Sequence, residues 1–247
     1  RSMNIAYYKE YSRQLGRNME FKRYGWGGKI CVVFPCLNGR FYDYEDFRMP
    51  EAIAPFLDSR KLQLFCVDGI DAETWTAQGD PRQRMERHEA WYRYITEELM
   101  PRMYQITGSR EKLMCTGCSM GAFHAANFFF RRPDLFDTVV ALSGVYGTEE
   151  FLGDYCDELV YLNSPLKSLP HLSDDHPYLE LYRQSRMVFC VGQGAWEDAL
   201  LESTRQLDEV LRCKGIPAWV DYWGTDVAHD WPWWHRQMNY FLGHLFP

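Results

Sequence analysis

Short, continuously apolar runs alternate along the chain with longer stretches in which apolar residues recur at helical spacing. Continuous apolar runs are typical of strands in a parallel sheet that is covered on both faces. The runs predict strands at residues 29–34, 62–67, 112–116, 138–142, 187–191 and 218–223. The helical spacing predicts helices at residues 84–107, 121–132, 197–215 and about 232–245. Strands that alternate with helices in this way predict a doubly wound α/β fold with a mostly parallel central sheet.

Two stretches fall outside this alternation. The amphipathic stretch at residues 19–25 predicts an edge strand that forms an antiparallel hairpin with residues 29–34. Residues 145–184 are rich in Pro, Asp and Tyr and lack sustained periodicity, so they predict an excursion off the sheet. Such loops are often lids or binding walls, although ordinary surface packing explains the composition equally well. We expect residues 1–247 to form a single domain, with residues 1–3 as a candidate tag remnant.

Composition and charge narrow the range of functions. A hydrophobic content of 46% is ample for a large core in a chain of 247 residues. The net charge is -7, with 27 Lys and Arg against 34 Asp and Glu and no basic stripe, so nucleic acid is not an expected partner. The apolar runs are strand-sized, far below the roughly 20 residues that span a bilayer, and no signal peptide is evident. We therefore expect no membrane association.

The 8 cysteines are spread along the chain rather than clustered as in small disulfide-stapled secreted domains. Several lie in or beside apolar runs, where a free Cys behaves as a small buried hydrophobe. These are Cys31, Cys66, Cys115, Cys190 and Cys213. The pattern favours a reducing, cytoplasmic location.

The stretch KLMCTGCSMGAFHAANFFF, residues 112–130, contains two overlapping signatures. Cys115 and Cys118 form C-x-x-C, which is typical of redox or metal sites. Gly117, Ser119 and Gly121 form G-x-S-x-G, the nucleophile elbow of serine hydrolases. A redox pair needs its first Cys at the start of a helix, but Cys115 lies within a predicted strand, and no further Cys pair completes a zinc site. The sequence therefore favours the serine and predicts no metal.

The surroundings of Ser119 match the requirements of the elbow. A predicted strand precedes it and a predicted helix follows at once. Glycines at 117 and 121 let the strand and the helix approach each other without Cβ clashes. Ser119 is then expected to project above the carboxyl edge of the sheet, where open α/β sheets place their sites.

A serine nucleophile needs a base and an acid that orients the base, in the chain order Ser, acid, His. Of the 7 histidines, His229 is the predicted base because it stands in the loop between the last strand and the last helix. The alternative is a helix-start histidine, with Asp230 as the helix cap.

The acid is expected in the loop after the strand at residues 187–191. Glu197 and Asp198 both qualify, and Asp226 is a weaker third candidate. Glu197 is preferred because Trp196 could shield it from water. Acidic residues at this place also stabilise a helix dipole without any chemical role.

Acyl transfer also needs N–H donors for the oxyanion. The backbone N–H of Met120, directly after the nucleophile, is the first candidate. The second is expected in the loop after residues 29–34, from the backbone N–H of Leu37 or Asn38. Asn38 and Gly39 otherwise form an ordinary turn signal.

The segments GCSMGAFHAANFFFRRPDLFDTVVALSG, VGQGAWED and WGTDVAHDWPWW resemble the putative esterase family of α/β-hydrolases, over about residues 32–246. That family includes esterase D (S-formylglutathione hydrolase), feruloyl esterases, enterobactin esterases and the antigen 85 mycolyltransferases. The resemblance implies an α/β-hydrolase fold and a Ser-acid-His triad on Ser119, Glu197 or Asp198, and His229, with no metal or organic cofactor. The sequence departs from the family at PCLNG, where LHG is usual, and in the acid loop GQGAWED.

Hydrolysis of a small-molecule carboxylic ester through an acyl-enzyme is the leading functional hypothesis. An acyltransferase with the same triad and a catalytically silent binding domain on the same fold are the alternatives. Aromatic residues in the predicted loops could form an apolar or sugar-stacking pocket, or simply pack onto the sheet. They are Phe41, Tyr42, Tyr44, Trp75, Tyr155, Tyr161, Trp231 and Trp233.

Overall fold

One eight-stranded sheet, in the order β1-β2-β4-β3-β5-β6-β7-β8, forms the centre of the molecule. The computed structural model describes residues 3–247, so residues 1 and 2 of the candidate tag remnant lie outside the described residues. The strands are β1 (Ile5–Ser12), β2 (Arg17–Tyr24), β3 (Lys29–Phe34), β4 (Leu62–Val67), β5 (Leu113–Cys118), β6 (Phe136–Leu142), β7 (Arg186–Val191) and β8 (Trp219–Tyr222). All neighbouring pairs from β4 through β8 are parallel. The continuous apolar runs therefore became parallel strands, as predicted.

The N-terminal hairpin differs from the prediction. β1 pairs antiparallel with β2, and β2 pairs antiparallel with β4, with Phe21 opposite Val67. The expected hairpin between residues 19–25 and 29–34 is wrong because β3 has parallel neighbours, β4 and β5, on both edges. β1 was not predicted because its exposed and half-buried residues alternate along the sheet edge, without a continuous apolar run.

Helices connect the parallel strands. The α-helices are α1 (Asp43–Asp46), α2 (Met49–Ala52), α3 (Ala54–Asp58), α4 (Pro81–Arg93), α5 (Met100–Thr107), α6 (Met120–Arg131), α7 (Glu149–Leu152), α8 (Glu158–Leu162), α9 (Pro165–Ser168), α10 (Pro177–Arg183), α11 (Asp198–Cys213) and α12 (Trp231–Leu245). Short 3-10 turns occupy Asp71–Glu73 and Leu169–His171, and a π-helical segment, Tyr94–Leu99, joins α4 to α5. Within residues 3–247, the structure contains no helix that combines the length and the apolar character needed to cross a bilayer.

Apolar side chains are buried on both faces of the sheet. On one face, residues such as Trp91, Phe128 and Phe189 belong to a cluster built from the strands, α4 to α6 and α11. On the other face, residues such as Leu57 and Phe241 bring α1 to α3 and α12 against the same strands. This two-sided cover is the α/β architecture that the sequence predicts, and it leaves the carboxyl ends of the parallel strands open for a site.

The excursion, residues 145–184, consists of α7 to α10 and one 3-10 turn. Its first part packs on the layer formed by α4 and α6, where Leu152 and Val160 join a cluster with Trp75, Met120 and Phe123. A polar network holds the same layer together at Asn163, whose side chain is bonded by His88, Asn127 and Arg131. The excursion is thus attached to the helix that begins directly after Ser119.

Candidate active site

Ser119 occupies the turn between β5 and α6. Its backbone, at φ 58 and ψ -121, lies in a region that non-glycine residues seldom adopt. A Cβ on Gly117 would come within 2.3 Å of the Gly121 backbone, and a Cβ on Gly121 within 2.4 Å of the Phe34 carbonyl oxygen. The two glycines are therefore required because the strand, the helix start and the end of β3 meet there at backbone contact distance.

A chain of hydrogen bonds connects Ser119 to the loops after β7 and β8. Ser119 Oγ lies 3.0 Å from His229 Nε2, and His229 Nδ1 lies 3.0 Å from Glu197 Oε2. The backbone N–H of His229 donates to the Ala195 carbonyl at 2.9 Å, which fixes one loop to the other. Gly192 and Gly194 allow this contact, since a Cβ on either would lie within 2.7 Å of Val227 backbone atoms.

Glu197 is fully buried, with 0% of its surface exposed. Its Oε1 accepts hydrogen bonds from Ser143 Oγ at 2.6 Å and from the Gly192 N–H at 3.0 Å. With His229 on the other oxygen, the carboxylate has three partners, which is what a buried charge requires.

The other acid candidates lie elsewhere. Asp198 is the exposed first residue of α11, where a carboxylate favours the helix dipole, and Asp226 is exposed. The expectation that Trp196 shields Glu197 from water is wrong, because Trp196 is 86% exposed. Glu197 is buried by the strand ends and the hydrogen-bonding groups around it instead.

Ser143 and Trp234 complete the surroundings of this carboxylate, and the sequence analysis did not identify either. Ser143 directly follows β6 with φ 57, and its Oγ accepts a hydrogen bond from Trp234 Nε1 at 3.2 Å. The Trp234 ring stands at 88° to the His229 imidazole, 4.8 Å between centroids. The sequence signal that could have identified Ser143 is the LSG of residues 142–144. In it, a polar residue stands between the end of an apolar strand and a glycine.

The oxyanion candidates differ in how their N–H groups are used. Met120 is the first residue of α6, so its N–H has no acceptor within the helix. The Asn38 N–H donates to Asp71 Oδ2 at 3.1 Å. For Leu37, which is 44% exposed in the same loop, no acceptor of its N–H lies among the described residues.

The two cysteines of the C-x-x-C signature are free thiols within β5. Burial raises the pKa of both the Cys115 and the Cys118 thiol well above the ordinary value. Both are therefore protonated at neutral pH, whereas redox and metal-binding cysteines react as thiolates. Cys213, grouped with the buried cysteines from sequence, is exposed at the end of α11 because it lies on the outer face of that helix.

The aromatic residues expected around the site divide into three groups, of which one, Tyr155, Trp231 and Trp233, is half-buried. Three residues are buried in the core: Phe41, Tyr44 and Trp75. They therefore follow the alternative expectation, which is packing onto the sheet rather than forming a pocket. Tyr42 and Tyr161 are exposed. Trp231 stacks on Phe47 with 4.7 Å between ring centroids and 5° between the ring planes.

Several solved structures are similar to this one over their whole length. A ferulic acid esterase matches with a TM-score of 0.77 and 14% identity, covering 99% of both chains. MPT51 (FbpC1) of Mycobacterium tuberculosis matches with a TM-score of 0.76 and 13% identity, covering 98% of both chains. The S-formylglutathione hydrolase FrmB of Staphylococcus aureus matches with a TM-score of 0.73 and 15% identity, covering 99% of this chain and 97% of the other. At such identities the likeness establishes the α/β-hydrolase fold. No curated protein matches the chain.

The sequence itself matches a family model described as Putative esterase over residues 12–245. The match runs from the last residue of β1 to the last residue of α12, so it includes every strand of the parallel sheet. The chain therefore belongs to the Putative esterase family, and it is a carboxylic ester hydrolase.

Proposed function

We propose that Ser119, His229 and Glu197 form the catalytic triad of this esterase and that hydrolysis passes through an acyl-enzyme on Ser119. The observation that carries the proposal is the unbroken hydrogen-bond chain, with 3.0 Å from Ser119 Oγ to His229 Nε2 and 3.0 Å from His229 Nδ1 to Glu197 Oε2. These are the distances over which a base can take the proton of a serine hydroxyl.

In the first half of the reaction, His229 Nε2 takes the proton of Ser119 Oγ while Oγ forms a bond to the ester carbonyl carbon. The imidazolium then gives that proton to the leaving alkoxide, and the alcohol departs. In the second half, water loses a proton to His229 and attacks the acyl-enzyme, and Ser119 Oγ regains a proton as the acid leaves. Glu197 Oε2 accepts the hydrogen bond of Nδ1–H throughout, so that Nε2 faces the serine as the base.

The proposed oxyanion hole consists of the backbone N–H groups of Met120 and Leu37. Met120 supports the proposal because its N–H belongs to the free first turn of α6, next to the nucleophile. Between the two candidates in the β3 loop, Leu37 is favoured because the Asn38 N–H already donates to Asp71. Asp198 has no role in this mechanism.

The proposed substrate is a small-molecule carboxylic ester. Ser119 and His229 are half-buried, so that an ester carbonyl can reach Oγ from solvent.

We also propose that residues 1–247 form a single domain in which residues 145–184 are a wall of the site. The packing of Leu152 and Val160 with Met120 supports this arrangement. Five buried free thiols in the sheet, at Cys31, Cys66, Cys115, Cys118 and Cys190, support a reducing cytoplasmic location.

The test is labelling with a fluorophosphonate probe, followed by intact mass and peptide mapping. It reports the activation of the nucleophile without knowledge of the natural substrate. We expect one adduct, on Ser119, and no adduct on folded Ser119→Ala. Labelling of His229→Ala should be slower by at least about 10²-fold because the base is absent.

No adduct on the folded wild-type protein, or an adduct on a residue other than Ser119, would contradict the proposal. Product analysis with p-nitrophenyl acetate and added alcohols then separates hydrolysis from acyl transfer. A hydrolase releases acetate at a rate that the added alcohols leave unchanged, whereas an acyltransferase forms the new ester.

A further inference from the structure

Asp71 is a buried carboxylate outside the proposed triad. It opens the 3-10 turn that follows β4, and only 4% of its surface is exposed. An ionised carboxylate without partners would be costly at such a place. Both oxygens of Asp71 are in fact used: Oδ2 accepts the Asn38 N–H at 3.1 Å, and Oδ1 lies 2.9 Å from His124 Nε2.

The first partner, Asn38, lies in the turn that follows β3. The Gly39 N–H donates to the Cys36 carbonyl at 2.9 Å, and Asn38 has a left-handed φ of 57 within that turn. The Asn38 side chain is held as well, because Thr76 Oγ1 donates to its Oδ1 at 2.9 Å. The segment that starts at Asp71 therefore fixes both the backbone and the side chain of Asn38.

The second partner, His124, lies on α6, about one turn after Met120. The imidazole is buried against Trp91, with 4.9 Å between ring centroids, so its position follows that of the helix. Asp71 thus joins two elements: the loop that carries the Leu37 N–H and the helix whose first residue provides the Met120 N–H. These are the two proposed oxyanion donors.

We propose that Asp71 is a positioning residue of the oxyanion hole. Through Asn38 it holds the β3 loop, and through His124 it ties that loop to α6, so that the N–H groups of Leu37 and Met120 converge on one oxygen. The inference rests on the proposed function, since it presumes that this hole stabilises the reaction of Ser119. Oxyanion donors act only within about 2.7–3.1 Å of the oxygen, so a displacement of about 1 Å in the loop removes the contribution of Leu37.

The test compares Asp71 variants by steady-state hydrolysis of p-nitrophenyl acetate. In Asp71→Ala both hydrogen bonds are lost, and we expect kcat to fall by about 10²-fold with KM within about twofold of wild type, as for the loss of one oxyanion donor. In Asp71→Asn the side-chain oxygen still accepts the Asn38 N–H. Its NH2 group can donate to His124 Nε2, because His124 Nδ1 has no partner among the described residues and can carry the ring proton. We expect Asp71→Asn to recover kcat to within about fivefold of wild type.

Asp68 provides the matched control. It is a second buried carboxylate at the end of β4, and it accepts hydrogen bonds from Arg40 Nε at 2.7 Å and the Phe41 N–H at 3.2 Å, further along the same loop. Asp68→Ala should destabilise the protein about as much as Asp71→Ala but keep kcat within about threefold of wild type. If Asp71→Ala does not fold, Asp71→Ser takes its place with the same expectation, because its hydroxyl reaches only one of the two partners.

The inference is overturned if kcat of Asp71→Ala stays within threefold of wild type, if Asp68→Ala loses as much kcat as Asp71→Ala, or if Asp71→Asn is as impaired as Asp71→Ala. Ser119→Ala distinguishes this failure from failure of the proposed function. Active Asp71 variants beside an inactive Ser119→Ala refute the positioning role alone, whereas turnover by Ser119→Ala refutes the triad itself.

Discussion

Ser143 Oγ lies 2.6 Å from Glu197 Oε1, and the two residues follow the adjacent strands β6 and β7. Because Ser143 also accepts the hydrogen bond of Trp234 Nε1, it fixes the carboxylate and, through the Trp234 ring, one side of the His229 imidazole. The orientation of the proposed acid is therefore set by a residue that takes no part in proton transfer.

Ser143→Ala should lower kcat about tenfold, or ~1.4 kcal/mol in activation free energy, with KM unchanged, because Glu197 and Trp234 each lose a partner. Steady-state kinetics on p-nitrophenyl acetate measures the effect. Ser203→Ala is the control: Ser203 is also buried and accepts the Tyr146 N–H at 2.7 Å, in a place away from Glu197. Unchanged kcat in Ser143→Ala, or an equal loss in both variants, would contradict the prediction.

Glu197→Gln should lower kcat by roughly 10³–10⁴-fold, because the amide NH2 would donate to His229 Nδ1 and leave the proton on Nε2, where the serine needs a base. Asp198→Asn should keep kcat within about twofold, since Asp198 is exposed on the first turn of α11. Both variants are compared by kcat at neutral pH and by circular dichroism. Near-equal effects would place the acid elsewhere.

Trp196→Gly should stabilise the protein. Trp196 has a φ of 66 at the third position of a turn in which the Glu197 N–H donates to the Gly194 carbonyl at 3.2 Å. A left-handed conformation costs a bulky residue about 1–2 kcal/mol that glycine avoids, and part of this gain is offset by the chain entropy of glycine. We expect the free energy of unfolding in urea to rise by roughly 0.5–1 kcal/mol.

Trp26→Gly is the control for this substitution. Trp26 is also exposed, but it does not have a positive φ, and its ring carries the Arg23 guanidinium at 4.3 Å. Its replacement should leave stability unchanged or lower it. A destabilised Trp196→Gly would show that strain at this position is smaller than the loss of contacts.

His88 should make the protein less stable below neutral pH. Its side chain is buried between Trp75 and Asn163, with Glu89, Arg131 and His124 nearby, and burial lowers the pKa to about 3. The unfolded imidazole, with a pKa near 6.5, takes up a proton as the pH falls below that value, while the folded one stays neutral until about pH 3. Stability from this group is therefore complete above about pH 6.5 and decreases as the pH falls toward 3.

The measurement is urea unfolding of wild type and His88→Gln at pH 7.5 and pH 5. Between these values the wild type should lose ~2 kcal/mol more than the variant, about 1.4 kcal/mol for each pH unit below 6.5. Identical losses in the two proteins would mean that the imidazole is not held neutral.

Cys118→Ala should keep kcat within about threefold of wild type, although Cys118 is the direct neighbour of Ser119. Its thiol is buried with a raised pKa, so it is protonated and unreactive at neutral pH. The substitution leaves a small void, and a stability loss of about 1 kcal/mol is expected. Abolished turnover in a correctly folded variant would restore the thiol interpretation of the C-x-x-C signature.

The parts of the fold that sequence predicts well are those in which one strong local signal decides. The apolar runs at β3 and β4 gave their exact bounds, since both faces of these strands are covered. The hairpin of β1 and β2 was missed or misplaced, because edge strands carry weak alternation and their partners are chosen by the rest of the sheet.

The candidate site, like the fold, contains residues that the sequence predicts and residues that it does not. Chain order and loop position placed His229 beside Ser119 in space, but they could not separate Glu197 from Asp198, since adjacent residues point in different directions. Asp71 was not considered, because a lone Asp in a loop after a strand carries no signature until its partners from distant segments are known. Ser143 stands in the LSG signal, but that signal does not reveal Glu197 as its partner.

The excursion enters the chain between β6 and β7, that is, between Ser143 and Glu197. Neighbouring strands stay about 4.8 Å apart whatever connects them, and the entropic cost of a longer connection grows only slowly with its length. If residues 145–184 form a wall of the site, as we propose, a different insert between Ser143 and β7 that still covers Trp75 and Phe123 would change the surroundings of the substrate and leave the bond from Ser143 to Glu197 in place.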